Sequence, residues 1–275
     1  MHRPRSLSWL LAAVLVVAGC VRIGDASVPI PTLMDRAVPG HSADVLVVVL
    51  PGRGDDLETL SRRDLLRRIR RHWPQADVLL TGATLAYYRE GRIARRLHDE
   101  VVAPARRAGG YRRVWFTGIS LGGLGALVYE STYPDQVEGV VLLGPYLGDR
   151  AILEEIAAAG GIGSWAPGPA PAAVTEANFQ REVWRRIQAL SDAPARAARI
   201  HLAYGERDRF NGALPLMRQV LPDGQVHVVR GGHDWQAWYR AAETIFGGIE
   251  PRQARFSASA PSGGGRPAGS GPARP

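Results

Sequence analysis

"VWFTGISLGGLGALVYE", residues 114–130, passes from an apolar, aromatic run into Gly118-Ile119-Ser120-Leu121-Gly122-Gly123 and then into a run of helical character. A serine framed by glycines where strand gives way to helix has two readings. In one, the glycines only make a tight turn. In the other, the turn holds the serine up as a nucleophile, and the residues two positions to either side must be small so that neighbouring chain can pack around it. Those positions are Gly118 and Gly122, with Gly123 behind. The helix that follows would aim its unpaired N–H groups and its positive dipole end at the serine, which favours an oxyanion there. A bare G-x-S-x-G is weak evidence. Preceded by "RVWFT" and followed by "LGALVYE", it has the strand–turn–helix context that the chemistry needs.

Working outward, short β-rich runs alternate with helix-period runs, the pattern of a parallel sheet covered on both faces. Strands are expected at 44–50, 76–82, 113–118, 138–144, 199–205 and 225–231, and helices at 57–72, 91–107, 121–133, 211–221 and 234–247. This is an α/β fold, a doubly wound and mostly parallel sheet in one domain over 44–250. Residues 148–198 interrupt the alternation with two helix-like runs joined by "GGIGSWAPGPAPAAV", and are expected to form a small helical lid. Within it Trp165, Phe179 and Trp184 have two readings, as the lining of an apolar pocket or as packing of the lid onto the domain. Residues 21–43, with Pro29, Pro31 and Pro39, read as a tether, and 251–275, made mostly of Ser, Gly, Pro and Arg, as a disordered tail.

A serine alone is a poor nucleophile, so the second reading demands a base and an orienting acid, in the chain order Ser, acid, His. Of the histidines, His227 and His233 fall at the last expected strand; His227 alternates within it, whereas His233 follows Gly231-Gly232 at its carboxyl end. His233 is the expected base. After the fifth strand comes "YGERDRFNG", where Asp208 is the expected acid, with Glu206 and Asp234 as alternatives that spacing does not separate. Two backbone N–H donors should meet the tetrahedral oxyanion: that of Leu121, immediately after the nucleophile, and that of Arg53 in "LPGRGDD", where Gly52 and Gly54 shape the loop.

These pieces together resemble the α/β-hydrolase superfamily. The resemblance spans about residues 44–247 and rests on the Gly118-to-Gly123 elbow, "GERD", "GGHDW" and "PGRG". It implies a Ser-His-Asp triad of Ser120, His233 and Asp208, no cofactor or metal, and hydrolysis of small-molecule carboxylic esters. An envelope acyltransferase and a non-catalytic binding protein on the same scaffold are the rival functions. Pro51-Gly52 stands where many relatives carry His-Gly.

The chain ends and composition speak to address. "MHRPRSLSWLLAAVLVVAGC" has a basic n-region, an apolar h-region and small residues before Cys20, the only cysteine of the 275 residues. It is similar to a bacterial lipoprotein signal, with residues 1–20 as the signal segment, Cys20 as the lipidation site and a lipid-anchored protein on the extracytoplasmic face of a bacterial envelope membrane. A lone cysteine excludes an intramolecular disulfide. The formal charge is +8, yet all 34 basic residues are arginine and none is lysine, a coding bias rather than a phosphate-binding surface. Nucleic acid is not an expected partner.

Overall fold

The computed structural model describes residues 23–249. Cys20, the signal segment and the C-terminal tail lie outside them. Seven strands form one sheet: β1 (Thr32–Asp35), β2 (Val45–Leu50), β3 (Asp77–Thr81), β4 (Arg113–Ile119), β5 (Gly139–Leu143), β6 (Ile200–Gly205) and β7 (Val226–Val229), in the order β1-β3-β2-β4-β5-β6-β7. All neighbours are parallel except β1, which runs antiparallel to β3.

Burial on both sides explains why β2 reads as a continuous apolar run. Leu46, Val48 and Leu50 point to one face and Val45, Val47 and Val49 to the other, and all are buried. Over the first face lie α3 (Leu85–Arg89), α4 (Ile93–Leu97), α5 (Ala103–Gly109) and α6 (Leu121–Thr132). A π-helical turn, His98–Val102, joins α4 to α5 into one rod. The second face is covered by α1 (Leu57–Ser61), α2 (Leu65–His72) and α11 (Trp235–Gly248). The expected helix over 57–72 is thus two, parted at Arg62–Asp64; Asp56 caps the first, exchanging bonds with Thr59. The insertion after β5 supplies α7 (Arg150–Ala158), α8 (Phe179–Gln188) and the short α9 (Pro194–Ala197), and α10 (Leu214–Met217) follows β6. Trp165 and Trp184 are buried in the same core as α6, so they pack the insertion onto the domain.

The segment expected as a tether departs from that expectation. Its described part carries β1 and is bolted to the sheet by the fully buried carboxylate of Asp77, which accepts from Ala37 N–H (2.8 Å), Ala43 N–H (3.2 Å), Tyr111 OH (2.6 Å) and Arg36 (3.2 Å). Further up, Arg96 donates to the carbonyls of Ala26 and Val28, and Glu100 accepts from Ile30 N–H. A buried charge must be paired, and here three of the four partners named, Arg36, Ala37 and Ala43, are supplied by the chain before β2.

At the amino edge of the sheet, His201 lies between the rings of Trp115 (6.1 Å) and His227 (6.4 Å). Burial, reinforced by His227, pushes its pKa from 6.5 down to about 4. Between those values the unfolded chain binds more protons than the folded one, so stability is fully present above about pH 6.5 and is lost as the pH falls toward 4. Thermal unfolding followed by circular dichroism should show a loss of about 2 kcal/mol between pH 7 and 5. His201→Phe should remove most of that loss.

Candidate active site

Strand order brings the functional segments together. The chain leaves β2 for β3 on one side and returns through β4 on the other, so the loops after β2 and β4 diverge and leave a crevice at the carboxyl edge, where α/β sheets bind ligands. Ser120 stands at the end of β4 with φ +50°, the only non-glycine residue at positive φ among those described. A Cβ at Gly118 would lie 2.3 Å from the Gly122 carbonyl oxygen. One at Gly122 would lie 2.3 Å from that of Leu50, and one at Gly123 2.6 Å from Pro145. Glycine is therefore required at all three positions for α6 to start this close to the ends of β2 and β5. The strained residue is held from both sides: its N–H donates to the Leu143 carbonyl (3.0 Å), and its carbonyl accepts from Tyr146 N–H (3.0 Å).

His233 and Asp208 arrive on separate loops that are zipped together. Glu206 N–H donates to the Val229 carbonyl (2.8 Å) and Arg207 N–H to that of Gly231 (2.9 Å). His233 Nε2 lies 3.0 Å from Ser120 Oγ, and its Nδ1 lies 3.0 Å from each oxygen of Asp208. A carboxylate only accepts, so Nδ1 carries the proton and Nε2 is left as the acceptor for the serine hydroxyl. Asp208 is 2% exposed and Ser120 8%. Phe210 N–H also donates to Asp208 Oδ1 (2.9 Å). The imidazole is held edge-to-face between Phe210 (4.7 Å) and Trp238 (4.9 Å).

Residues 27–246 match the family described as "Putative esterase". The chain belongs to this esterase family. Solved structures with the same α/β-hydrolase fold include the S-formylglutathione hydrolase FrmB of Staphylococcus aureus, 16% identical, covering 75% of this chain and 80% of that one at a TM-score of 0.51. The fluorophosphonate-binding serine hydrolase F of the same organism is 12% identical, with 79% and 97% covered and a TM-score of 0.51. A ferulic acid esterase is 14% identical, with 80% and 96% covered and a TM-score of 0.50. No curated protein matches in sequence. The esterase is a carboxylic ester hydrolase by class.

In this esterase the alternatives to Asp208 are engaged elsewhere. Asp234 caps α11, accepting from Ala237 N–H (3.0 Å) and Gly232 N–H (2.9 Å), while Glu206 is exposed and pairs with Arg207 (3.1 Å). Leu121 N–H is at the first position of α6, where no intrahelical acceptor exists. Arg53 sits in an exposed turn closed by Asp55 N–H on the Gly52 carbonyl (3.1 Å); a Cβ on Gly52 would come within 3.5 Å of Ser120 Cβ, so this loop borders the serine. Among the described residues no group of three or more His, Cys, Asp or Glu could hold a metal ion.

Sequence reasoning missed Gly144, Phe210, Trp238 and Tyr146. Tyr146 packs on Phe210 (5.2 Å) and faces Phe179 of the insertion (6.4 Å), making an aromatic wall next to the imidazole. Burial and the hydrogen bond to Asp149 push its hydroxyl pKa well upward, so it stays a neutral donor. Gly144 has φ +54°, and a Cβ there would stand 2.8 Å from Asp208 Oδ2 and 2.7 Å from the Trp238 indole nitrogen. Gly144→Ala should therefore push the carboxylate off the imidazole and lower kcat by about 10–100-fold, with KM little changed, in steady-state assays. A variant with wild-type kcat would show that the acid tolerates displacement.

Proposed function

We propose that the protein cleaves carboxylic esters through an acyl-enzyme intermediate formed on Ser120, with His233 as general base and acid and Asp208 as the group that holds the imidazole. The observation that carries this reading is the unbroken hydrogen-bonded line from Ser120 Oγ through His233 to Asp208. Ser120 Oγ attacks the ester carbonyl carbon while its proton passes to His233 Nε2. The negative charge that develops on the carbonyl oxygen is met by the backbone N–H groups of Leu121 and Arg53 and by the N-terminal end of α6. As the intermediate collapses, the C–O bond to the alcohol breaks and His233 gives its proton to the departing oxygen. Water then attacks the acyl-serine with His233 again taking a proton, and release of the acid restores Ser120. Asp208 stabilises the imidazolium in both halves without taking the proton itself.

Substrates of this reading are small-molecule esters whose acyl or alcohol part lies against Tyr146, Phe179 and Phe210. The address that goes with it is the outer face of a bacterial envelope membrane, with Cys20 lipidated and the domain held at the surface.

Ser120→Ala should abolish covalent labelling by a fluorophosphonate and lower kcat/KM on short-chain nitrophenyl esters by more than about 10³-fold, with the unfolding transition unchanged. Retained turnover would overturn the assignment. Asp208→Asn tests the orienting role separately: kcat should fall by about 10³–10⁴-fold, because the amide favours the wrong imidazole tautomer.

A further inference from the structure

Residues 23–31 are not a free leader into the fold but a strap fastened to its active-site edge. Ile23 carbonyl accepts from Ala86 N–H (2.8 Å) in the first turn of α3, directly beyond the carboxyl end of β3. In register, Val49 of β2 faces Leu80, and Leu50 faces Gly118 of β4, so the carboxyl end of β3 lies level with the Ser120 elbow. Only β2 lies between β3 and β4, so the end of β3, beyond which the strap is fastened, lies about 10 Å sideways from the strand that carries the serine. Cys20 is three residues from Ile23, a reach of at most about 10 Å.

The surface at this edge carries exposed apolar side chains among charged ones of both signs. Ile23 (51% exposed) and Val28 (45%) leave the strap toward solvent, as does Val174 (37%) from the insertion. Gly91 joins the two, since a Cβ there would lie 2.8 Å from the Val174 carbonyl oxygen. Arg89 is exposed beside it, as are Arg92, which pairs with Glu90 (3.4 Å), and Asp25 of the strap. With a lipid on Cys20, a fold tied down from Ile23 onward has only residues 20–22 between the lipid and the strap.

From this we propose that the carboxyl edge of the sheet, with the mouth of the active site, is held face-down on a phospholipid bilayer, and that the esters hydrolysed are amphiphiles taken from that surface. The proposal rests on the esterase reading for its substrate and on lipidated Cys20 for its geometry. The exposed apolar side chains enter the interfacial region while Arg89 meets the headgroup phosphates.

The test uses the full chain, processed and lipidated in a bacterial host, with the mature N-terminus checked by mass spectrometry. Hydrogen exchange is compared in detergent micelles and on phosphatidylethanolamine–phosphatidylglycerol vesicles. Vesicles should slow exchange at 23–30, 51–54, 86–92 and 172–176 and leave the opposite edge, 109–112 and 222–225, unchanged. Uniform slowing, slowing at the opposite edge, or a mature chain without lipid on Cys20 would overturn the proposal. The same readout works on Ser120→Ala, so failure of the esterase reading, seen as no turnover of any soluble ester, is separately visible. For substrate, the ratio of turnover on a vesicle-embedded long-chain ester to that on a soluble short-chain ester should fall about tenfold in Ile23→Asp/Val28→Asp. It should fall similarly when a twenty-residue Gly-Ser linker, spanning about 25 Å, follows Val21. An unchanged ratio in both variants would overturn the substrate claim.

Discussion

The approach of α6 to the ends of β2 and β5 is the contact on which the carboxyl edge depends. It is closer than any side chain bearing a Cβ permits at Gly118, Gly122 or Gly123. Because the helix starts so near the sheet, Ser120 is forced to positive φ and its side chain is lifted clear of the strand, while the first N–H groups of α6 come to lie beside it. The backbone strain, of order 1–3 kcal/mol, is held by the hydrogen bonds that Ser120 exchanges with Leu143 and Tyr146. The sheet on both sides is thereby made part of the site, since those partners belong to β5 and to the loop that leaves it.

The same loop explains how an imidazole and a carboxylate from different loops meet with matched distances. Gly144 is the point where β5 turns away, and Asp208, His233 and the Trp238 indole converge on the space that its missing Cβ leaves. Phe210 closes the other side of the imidazole. An imidazole packed edge-on against two rings and bonded to a carboxylate has little rotational freedom.

At the amino-terminal side, the constraint is electrostatic. Asp77 is buried at the first position of β3, and the groups that neutralise it lie in 36–43 and at Tyr111. Arg96 and Glu100 fasten the chain above. These bonds turn a proline-containing segment into an antiparallel edge strand and a strap that is fastened to the domain from Ile23 onward.

Much of this was legible in the sequence. Strands buried on both faces must be apolar throughout, and a serine framed by glycines between a strand-like and a helix-like run marks a tight turn at the strand end, so the parallel core and the elbow could be read from the pattern. Chain order and strand ends pointed to Asp208 and His233. The rest was decided by contacts between segments far apart in sequence. β1 has four residues and no alternation, and exists only because β3 offers an edge and Asp77 a charge to be met. The choice of Asp208 over Glu206 and Asp234 depended on which carboxylate the zipped loops leave facing His233, and the use of Gly144, Phe210 and Trp238 on packing around that ring. Local pattern records which face a residue shows to the core; which distant group it meets there is set by the three-dimensional arrangement of the strand ends.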